Sequence, residues 1–285
     1  MKKLKLTICS LLVLCSCFVL SACGENCDHT FETKWTANET HHWHAATCEH
    51  VEEKKDYAEH VDTNKDGMCD VCMYGAQAVV GNVNYNTLEL AFENAEAGST
   101  ITLYKNFDLQ TGIIVTKEIV LDLNGKNLSV TNDTQGVGVF WVKTGGKLTI
   151  NGDGVINGLG NNAYSIAIWA DGGEVIINGG SYTNVGASSA VDSEHFDLIY
   201  VKNGGRVTIN GGNFKCETPK WTLNSNDTLV GTIVVKGGVF AGFDPSNADT
   251  EPAPNNPCSF VADGYKVVST EIDQVTYYTV VADAE

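Results

Sequence analysis

The sequence predicts an all-β chain whose body is a parallel β-helix, and three observations predict it. First, the chain repeats itself from about residue 100. VLDLNGKNL, KLTINGDGV, EVIINGGSY, RVTINGGNF and TIVVKGGVF align on Asn124, Asn151, Asn178, Asn210 and Lys236, at steps of 27, 27, 32 and 26 residues. Self-similarity at such a period marks a solenoid. Second, each segment alternates with period two. Stacking gives two inward columns, Leu121–Leu148–Val175–Val207–Ile233 and Leu123–Ile150–Ile177–Ile209–Val235. Both are wholly aliphatic, as parallel strands around a dry interior require. Third, the asparagines fall where a ladder of stacked amides can form at a turn, and the glycines after them let the backbone turn sharply. Each coil then holds three strands: the repeat segment, a strand before each Gly pair (VFWVKT, IAIWAD, LIYVKN) and a short one after the Asn-Gly turn.

The remaining elements follow in chain order. Lys2, Lys3 and Lys5 precede an apolar run, Leu6 to Leu20, that ends in LSAC, residues 20–23. This resembles a bacterial lipoprotein signal. The resemblance implies that residues 1–22 are removed and that Cys23 is acylated, which anchors the chain outside the cytoplasm. Without the three signal lysines, 15 of the 18 basic residues face 35 acidic ones, a net charge of −20. That balance excludes nucleic acid as a partner and favours metal cations or a neutral glycan.

Residues 23–75 form a separate Cys/His-rich module. Cys27, Cys48 and Cys69 are each 21 residues apart, in Cys27/His29 and Cys48/His50 pairs and in a C-x-x-C with Cys72. With His60, these residues suit tetrahedral zinc. So small a segment needs a metal or disulfides to fold. Two disulfides among the four cysteines are the rival. Trp35 and Trp43 are candidates for an apolar lid over the site. The segment resembles short Cys/His modules of surface proteins from anaerobic gut bacteria. Within it, Asp62, Asn64, Asp66 and Asp70 resemble the start of an EF-hand or dockerin calcium loop, although the twelfth position is Met73 where that motif needs a carboxylate.

Residues 85–103 read as a helix followed by the first strand, with Asn86 and Glu89 as a capping box and Gly98 as the stop. Such a helix plugs the N-terminal mouth of the core. Residues 246–257, with three prolines, read as a loop. Residues 265–270 and 275–281 read as a hairpin that covers the far end. Cys216 and Cys258 flank this region as a candidate disulfide. The domains expected are therefore 1–22, 23–75, 76–245 and 246–285.

Three strands per coil, over about five coils, resemble the right-handed parallel β-helix of the pectate-lyase-like superfamily. Enzymes of that kind work on the outer face of one sheet, with carboxylates, calcium and a basic residue. The resemblance does not extend to their motifs. The arginine-based R-x-P-x-x-R needs two arginines, and Arg206 is the only one here. Its aligned neighbours, Val120, Lys147, Glu174 and Thr232, read as a solvent-facing repeat position. His195, with Asp192, Glu194 and Asp197, is the candidate acid–base or metal cluster. Trp141 and Tyr200 align in one column and Trp169 in the next; turned inward they are ordinary core, the more common fate of aromatics in an apolar run, and stacked on the surface they would contact sugar rings. The expected function is a lipid-anchored, non-enzymatic surface protein that binds a glycan or a host or neighbour-cell protein. A carbohydrate-active enzyme with a divergent site and a structural spacer are the alternatives.

Overall fold

A computed structural model describes residues 28–130, 138–159, 165–187, 196–226 and 233–283. Residues 1–22, Cys23, Cys27 and His195 lie outside the described residues. The chain divides between Glu59 and His60 into two compact units.

The first unit is an antiparallel meander of Phe31–Ala37, His41–Ala46 and Lys54–Glu59. Its faces are lined with rings. His44 stacks on Trp35 at 3.9 Å, and His42, which is buried, meets Trp35 edge-on at 4.7 Å. Trp43 packs instead with Tyr57 and beneath the Lys54 ammonium, 4.3 Å from the ring centre. The two tryptophans thus brace the meander through its own strands.

The second unit is the parallel solenoid. Each circuit adds one strand to each of three sheets. The first sheet stacks Ser99–Leu103, Glu118–Asp122, Lys147–Asn151, Glu174–Ile177, Arg206–Ile209 and Ile233–Val235. The second stacks Phe107–Leu109, Lys126–Val130, Gly154–Gly158, Ser181–Thr183, Asn213–Lys215 and Val239–Ala241. The third stacks Ile113–Val115, Phe140–Lys143, Ile168–Asp171, Ile199–Lys202 and Leu223–Ser225. Every inward position of the first sheet is aliphatic and buried. The second sheet sends a column of Phe107, Leu128, Ile156, Tyr182, Phe214 and Phe240 into the interior. Its last three rings stack, 5.0 Å and 4.7 Å apart. The Tyr182 hydroxyl donates to the Gly179 carbonyl at 3.0 Å, so the buried polar tip is satisfied.

The asparagine ladder forms: Asn178 Nδ2 donates to Asn151 Oδ1 at 2.7 Å, and Asn210 Nδ2 to Asn178 Oδ1 at 2.8 Å. The first coil corrects the aligned register. Leu148 pairs with Ile119 and Ile150 with Leu121, which places Asp122, not Asn124, beside Asn151. Asn124 belongs to the turn. It adopts a left-handed φ of 45°, and its N–H donates to Asp122 Oδ1. The Asn-Gly motif of this coil therefore sits two residues later than in the others. With the register corrected, Arg206 follows Glu118, Lys147 and Glu174 in one outer column of alternating charge. Lys147 Nζ lies 3.3 Å from Glu118 Oε1. Such pairs contribute about 0.2–1 kcal/mol each.

The Gly pairs before these strands have a steric reason. A Cβ on Gly146, Gly173 or Gly205 would meet a backbone carbonyl oxygen at 2.3, 2.6 or 2.2 Å, so only glycine lets successive coils approach at this corner.

Both ends are closed, with two differences from expectation. The helix runs Leu88–Asn94, and its N-cap is Thr87, whose Oγ1 accepts from the Leu90 N–H at 3.2 Å. Asn86 is therefore one residue too early for the cap. Leu88, Ala91 and Phe92 are buried, and Phe92 reaches the Phe140 ring at 5.7 Å. Ahead of the helix, Ala78–Val80 and Val83–Tyr85 add an antiparallel hairpin to the first sheet. At the other end, Ala248–Thr250 and Ala253–Cys258 pair antiparallel within the segment read as a loop. The hairpin Tyr265–Ile272 and Val275–Ala282 joins the second sheet beside Val239–Ala241. Its turn residues, Asp273 and Gln274, both have positive φ, as a two-residue type I′ turn requires.

Candidate functional site

The Cys/His residues gather into separate clusters. In the first unit, His29 precedes the opening strand, and Cys48 and His50 follow the second. The Thr47 N–H donates to the Thr30 carbonyl at 2.7 Å, which keeps the two strand ends level. Cys48 Sγ lies 3.5 Å from His29 Nδ1 and 4.0 Å from His50 Nδ1. The hydrogen bond from His29, with help from backbone donors, pulls the Cys48 thiol down to about 6, and the sulfur in turn raises His29. One sulfur thus sits beside two imidazole rings.

In the second unit, His60, Cys69 and Cys72 present ligand atoms within 4.8 Å of one another. The C-x-x-C turn is a knuckle. Burial opposes ionisation of Cys69, but the backbone N–H groups of Cys72 and Val71 aim at its sulfur and hold the thiol below its ordinary value. Burial and the Cys69 charge push Cys72 the other way. Met73 follows with a φ of 62°, and its N–H donates to the Cys69 carbonyl at 2.9 Å. His60 Nδ1 sits 3.4 Å from Cys72 Sγ, and its ring stacks on Tyr74 at 4.6 Å. Cys48, Cys69 and Cys72 are free thiols, so no disulfide forms among them. These Cys/His groups could hold a metal ion.

The segment Asp62–Asp70 is a knot of side chain to backbone bonds. Asp62 accepts from the N–H groups of Asp66 and Gly67, Asp66 from Met68, and Asp70 from Thr63. Asn64 Nδ2 donates to Asp66 Oδ2 at 3.1 Å. The carboxylates expected to face calcium thus serve the turn itself. Asn84, nearly buried, ties this segment to the solenoid: its N–H donates to Asp66 Oδ2 at 2.7 Å, and its Oδ1 accepts from Gln77.

The third sheet carries the aromatic residues. Trp141, Trp169 and Tyr200 occupy one register column, not two, and Ile114 begins it. They alternate with the buried Phe140, Val142, Ile168, Ala170, Ile199 and Val201, so their side chains point outward and each ring is half-exposed. Trp141 and Trp169 stack at 4.7 Å and 9°, while Tyr200 is tilted by 52° to Trp169. A row of polar groups runs alongside. Trp141 Nε1 donates to Asp171 Oδ2 at 3.0 Å, and Lys143 Nζ lies 3.8 Å over the Trp141 ring. Asn203 Nδ2 donates to Asp171 Oδ1. At the far end, the Tyr200 hydroxyl donates to Glu251 Oε2 at 3.3 Å, and Asn224 Nδ2 donates to both Asp197 Oδ1 and Glu251 Oε1. The role of Glu251 carries no signal in the sequence, because a strand pair folded from the expected loop brings it there.

The candidate disulfide is not made. Cys216 is a buried thiol whose Sγ donates to the Phe196 carbonyl at 2.9 Å, and burial pushes it up to about 12; Cys258 is an exposed thiol. Of the acidic group proposed around His195, Asp197 is described, and its carboxylate is held by Asn224. No protein-family model matches the chain, and neither a curated protein nor a solved structure matches it. What is shown is therefore a parallel β-solenoid, with no match that ties it to pectate-lyase-like proteins.

Proposed function

We propose that the chain is a lipid-anchored surface protein whose solenoid binds a glycan without turning it over, and whose Cys/His clusters hold structural zinc. The observation that carries the glycan reading is the outward column of Trp141, Trp169 and Tyr200 beside Asp171, Lys143 and Asn203. A pyranose has an apolar C–H face and a rim of hydroxyls. Aromatic rings accept the face, and carboxylate, amide and ammonium groups bond the rim. The 52° tilt at Tyr200 leaves ring surface that the Trp141–Trp169 stack does not cover. Trp169→Ala should weaken affinity for the bound glycan about tenfold or more, or ~1.4 kcal/mol, by calorimetry across a panel of oligosaccharides. Unchanged affinity would leave the column a structural stack only.

A second reading rests on Asp197 and Glu251, two carboxylates sharing the Asn224 amide at 2.8 and 3.2 Å. Paired carboxylates at the end of a sugar platform are what glycoside hydrolysis uses. Here both are tied to amides, and Asn224 is fully buried, which favours a structural role. Shortened products from any polymer in the panel would reverse that preference.

Zinc is supported by the spacing of donors. Zn–S near 2.3 Å and Zn–N near 2.0–2.1 Å give a tetrahedral S–N edge of about 3.5 Å. The observed Sγ–Nδ1 separations are 3.5, 4.0 and 3.4 Å. The anchor rests on LSAC and the basic, apolar run before it. Cys23→Ser should move the protein from the detergent phase to the aqueous phase in a detergent partition, and continued membrane retention of that variant would remove the lipid anchor from the reading.

A further inference from the structure

The aromatic column does not end at Trp141. Its next rung is Ile114, which pairs with Trp141 and is 45 % exposed. Ile114 is also one wall of a cavity of about 440 Å³ between the capping helix and the strand Ile113–Val115. Phe92 and Ile113 supply apolar lining, and that volume lies within the range of small-ligand sites. The charged groups on its wall are Glu89, Glu93 and Lys117. Glu89 and Glu93 are four residues apart, on one side of the helix. Lys117 is already engaged, because its Nζ donates to the carbonyl oxygens of Glu93, at 2.9 Å, and Ala95, at the end of the helix. A cation held at that end answers the carbonyl dipoles rather than the carboxylates. The cavity therefore offers two carboxylates, against one ammonium whose hydrogen bonds are spent on main-chain oxygens, to a ligand that arrives along the column.

The middle of the platform is mixed in charge, because Asp171 pairs in register with Lys143 and Lys202, while Asp197 and Glu251 stand at its far end. A polyuronate would meet carboxylates at both ends. We infer that the glycan is one with free amino groups, a glucosamine-type oligosaccharide. One ammonium-bearing ring enters the cavity between Glu89 and Glu93, and the following rings lie along Ile114, Trp141, Trp169 and Tyr200. This rests on the glycan-binding reading and assigns the cavity as its charge-selecting subsite.

The test compares four hexamers on the full chain: glucosamine, N-acetylglucosamine, glucose and galacturonate. The glucosamine hexamer should bind about tenfold or more tighter than the N-acetylated and the glucose hexamers. The galacturonate hexamer should be the weakest. In Glu89→Gln/Glu93→Gln the amine advantage should shrink to within about twofold, because the substitution keeps shape and hydrogen bonding but removes both charges. An acidic protein also attracts polycations diffusely, and that attraction falls with salt. The control is Asp263→Asn/Glu271→Gln, which removes two charges from the C-terminal region and should keep the advantage. Equal binding of the acetylated and free-amine hexamers overturns the inference, as does an advantage that survives Glu89→Gln/Glu93→Gln or vanishes in the control. If Trp169→Ala abolishes binding of all hexamers and no amine preference exists, the glycan reading stands and this inference falls. If no hexamer binds, both fall.

Discussion

Replacing Phe214 with alanine should destabilise the solenoid by about 3–5 kcal/mol. The ring is fully buried, and it sits between Tyr182 at 5.0 Å and Phe240 at 4.7 Å. Two terms add. The transfer free energy of a buried aromatic is lost, and a cavity remains because the coils cannot close over it. They are held at strand spacing by Ser181–Asn213 and Asn213–Val239 register pairs on one sheet and by Ile177–Ile209 and Ile209–Val235 on another. Removing a middle rung also cuts the contact between neighbours on which solenoid stability depends. The midpoint of thermal unfolding should fall on the order of 10 °C. Phe214→Leu, which keeps most of the volume, should cost roughly 1.5 kcal/mol or less. Urea titration checks both: the midpoint should move with little change in slope. If alanine costs no more than leucine, the ring stack is not part of the stabilising core.

The parallel solenoid was legible because its physics is repetitive. Val175, Val207, Ile177 and Ile209 each face the same dry interior, so a period-two pattern recurring at a fixed step identifies them without tertiary information. The first coil was misread because alignment on Asn-Gly treats Asn124 as a ladder rung. The rung there is Asp122, an acceptor that bonds the Asn124 N–H, and nothing in an Asn-based pattern marks an aspartate as equivalent. The hairpin of residues 265–270 and 275–281 is legible even though its turn residues, Asp273 and Gln274, are neither glycine nor asparagine, since the flanking strand pattern carries the signal.

The candidate sites were less legible, for different reasons. Residue type showed that Cys48, His50, Cys69 and Cys72 could be ligands, but not which histidine meets which thiol, since that depends on where strands end. His29 reaches Cys48 because Thr30 and Thr47 close the first pair of strands. The aromatic column depended on register. Trp141 and Trp169 lie 28 residues apart in sequence and pair directly in the sheet, which an alignment on a neighbouring strand offset by one position cannot show. Glu251 and the cavity beside Glu89 and Glu93 lie where separate elements converge, and convergence leaves no local pattern.

Cys69→Ser should remove one equivalent of bound zinc per chain and leave the other cluster loaded, because the clusters of Cys48 and Cys69 share no ligand. Structural zinc contributes about 10–16 kcal/mol of apparent binding free energy in small modules, and losing one of the two thiolates of this donor set should release the metal at ordinary concentrations. The knuckle gives this site its leverage. The Val71 and Cys72 N–H groups are oriented at the Cys69 sulfur, and serine offers them a shorter, harder oxygen that neither reaches nor binds zinc as a thiolate does. Without metal, the segment around Asp62–Tyr74 retains its polar turn and its Asn84 anchor but loses the clamp between His60 and Cys72, and proteolysis there should quicken. Acid should weaken zinc binding for a related reason. The His29 contact holds the Cys48 thiol below its ordinary value, so protons compete with metal for that sulfur only on the acid side, and affinity should fall progressively as the pH is lowered from there. Elemental analysis of the chain and of Cys48→Ser and Cys69→Ser separates the possibilities. Two equivalents falling to one in each variant is the expected result; a chain that carries no zinc with Cys48, Cys69 and Cys72 oxidised would assign the module to disulfides instead.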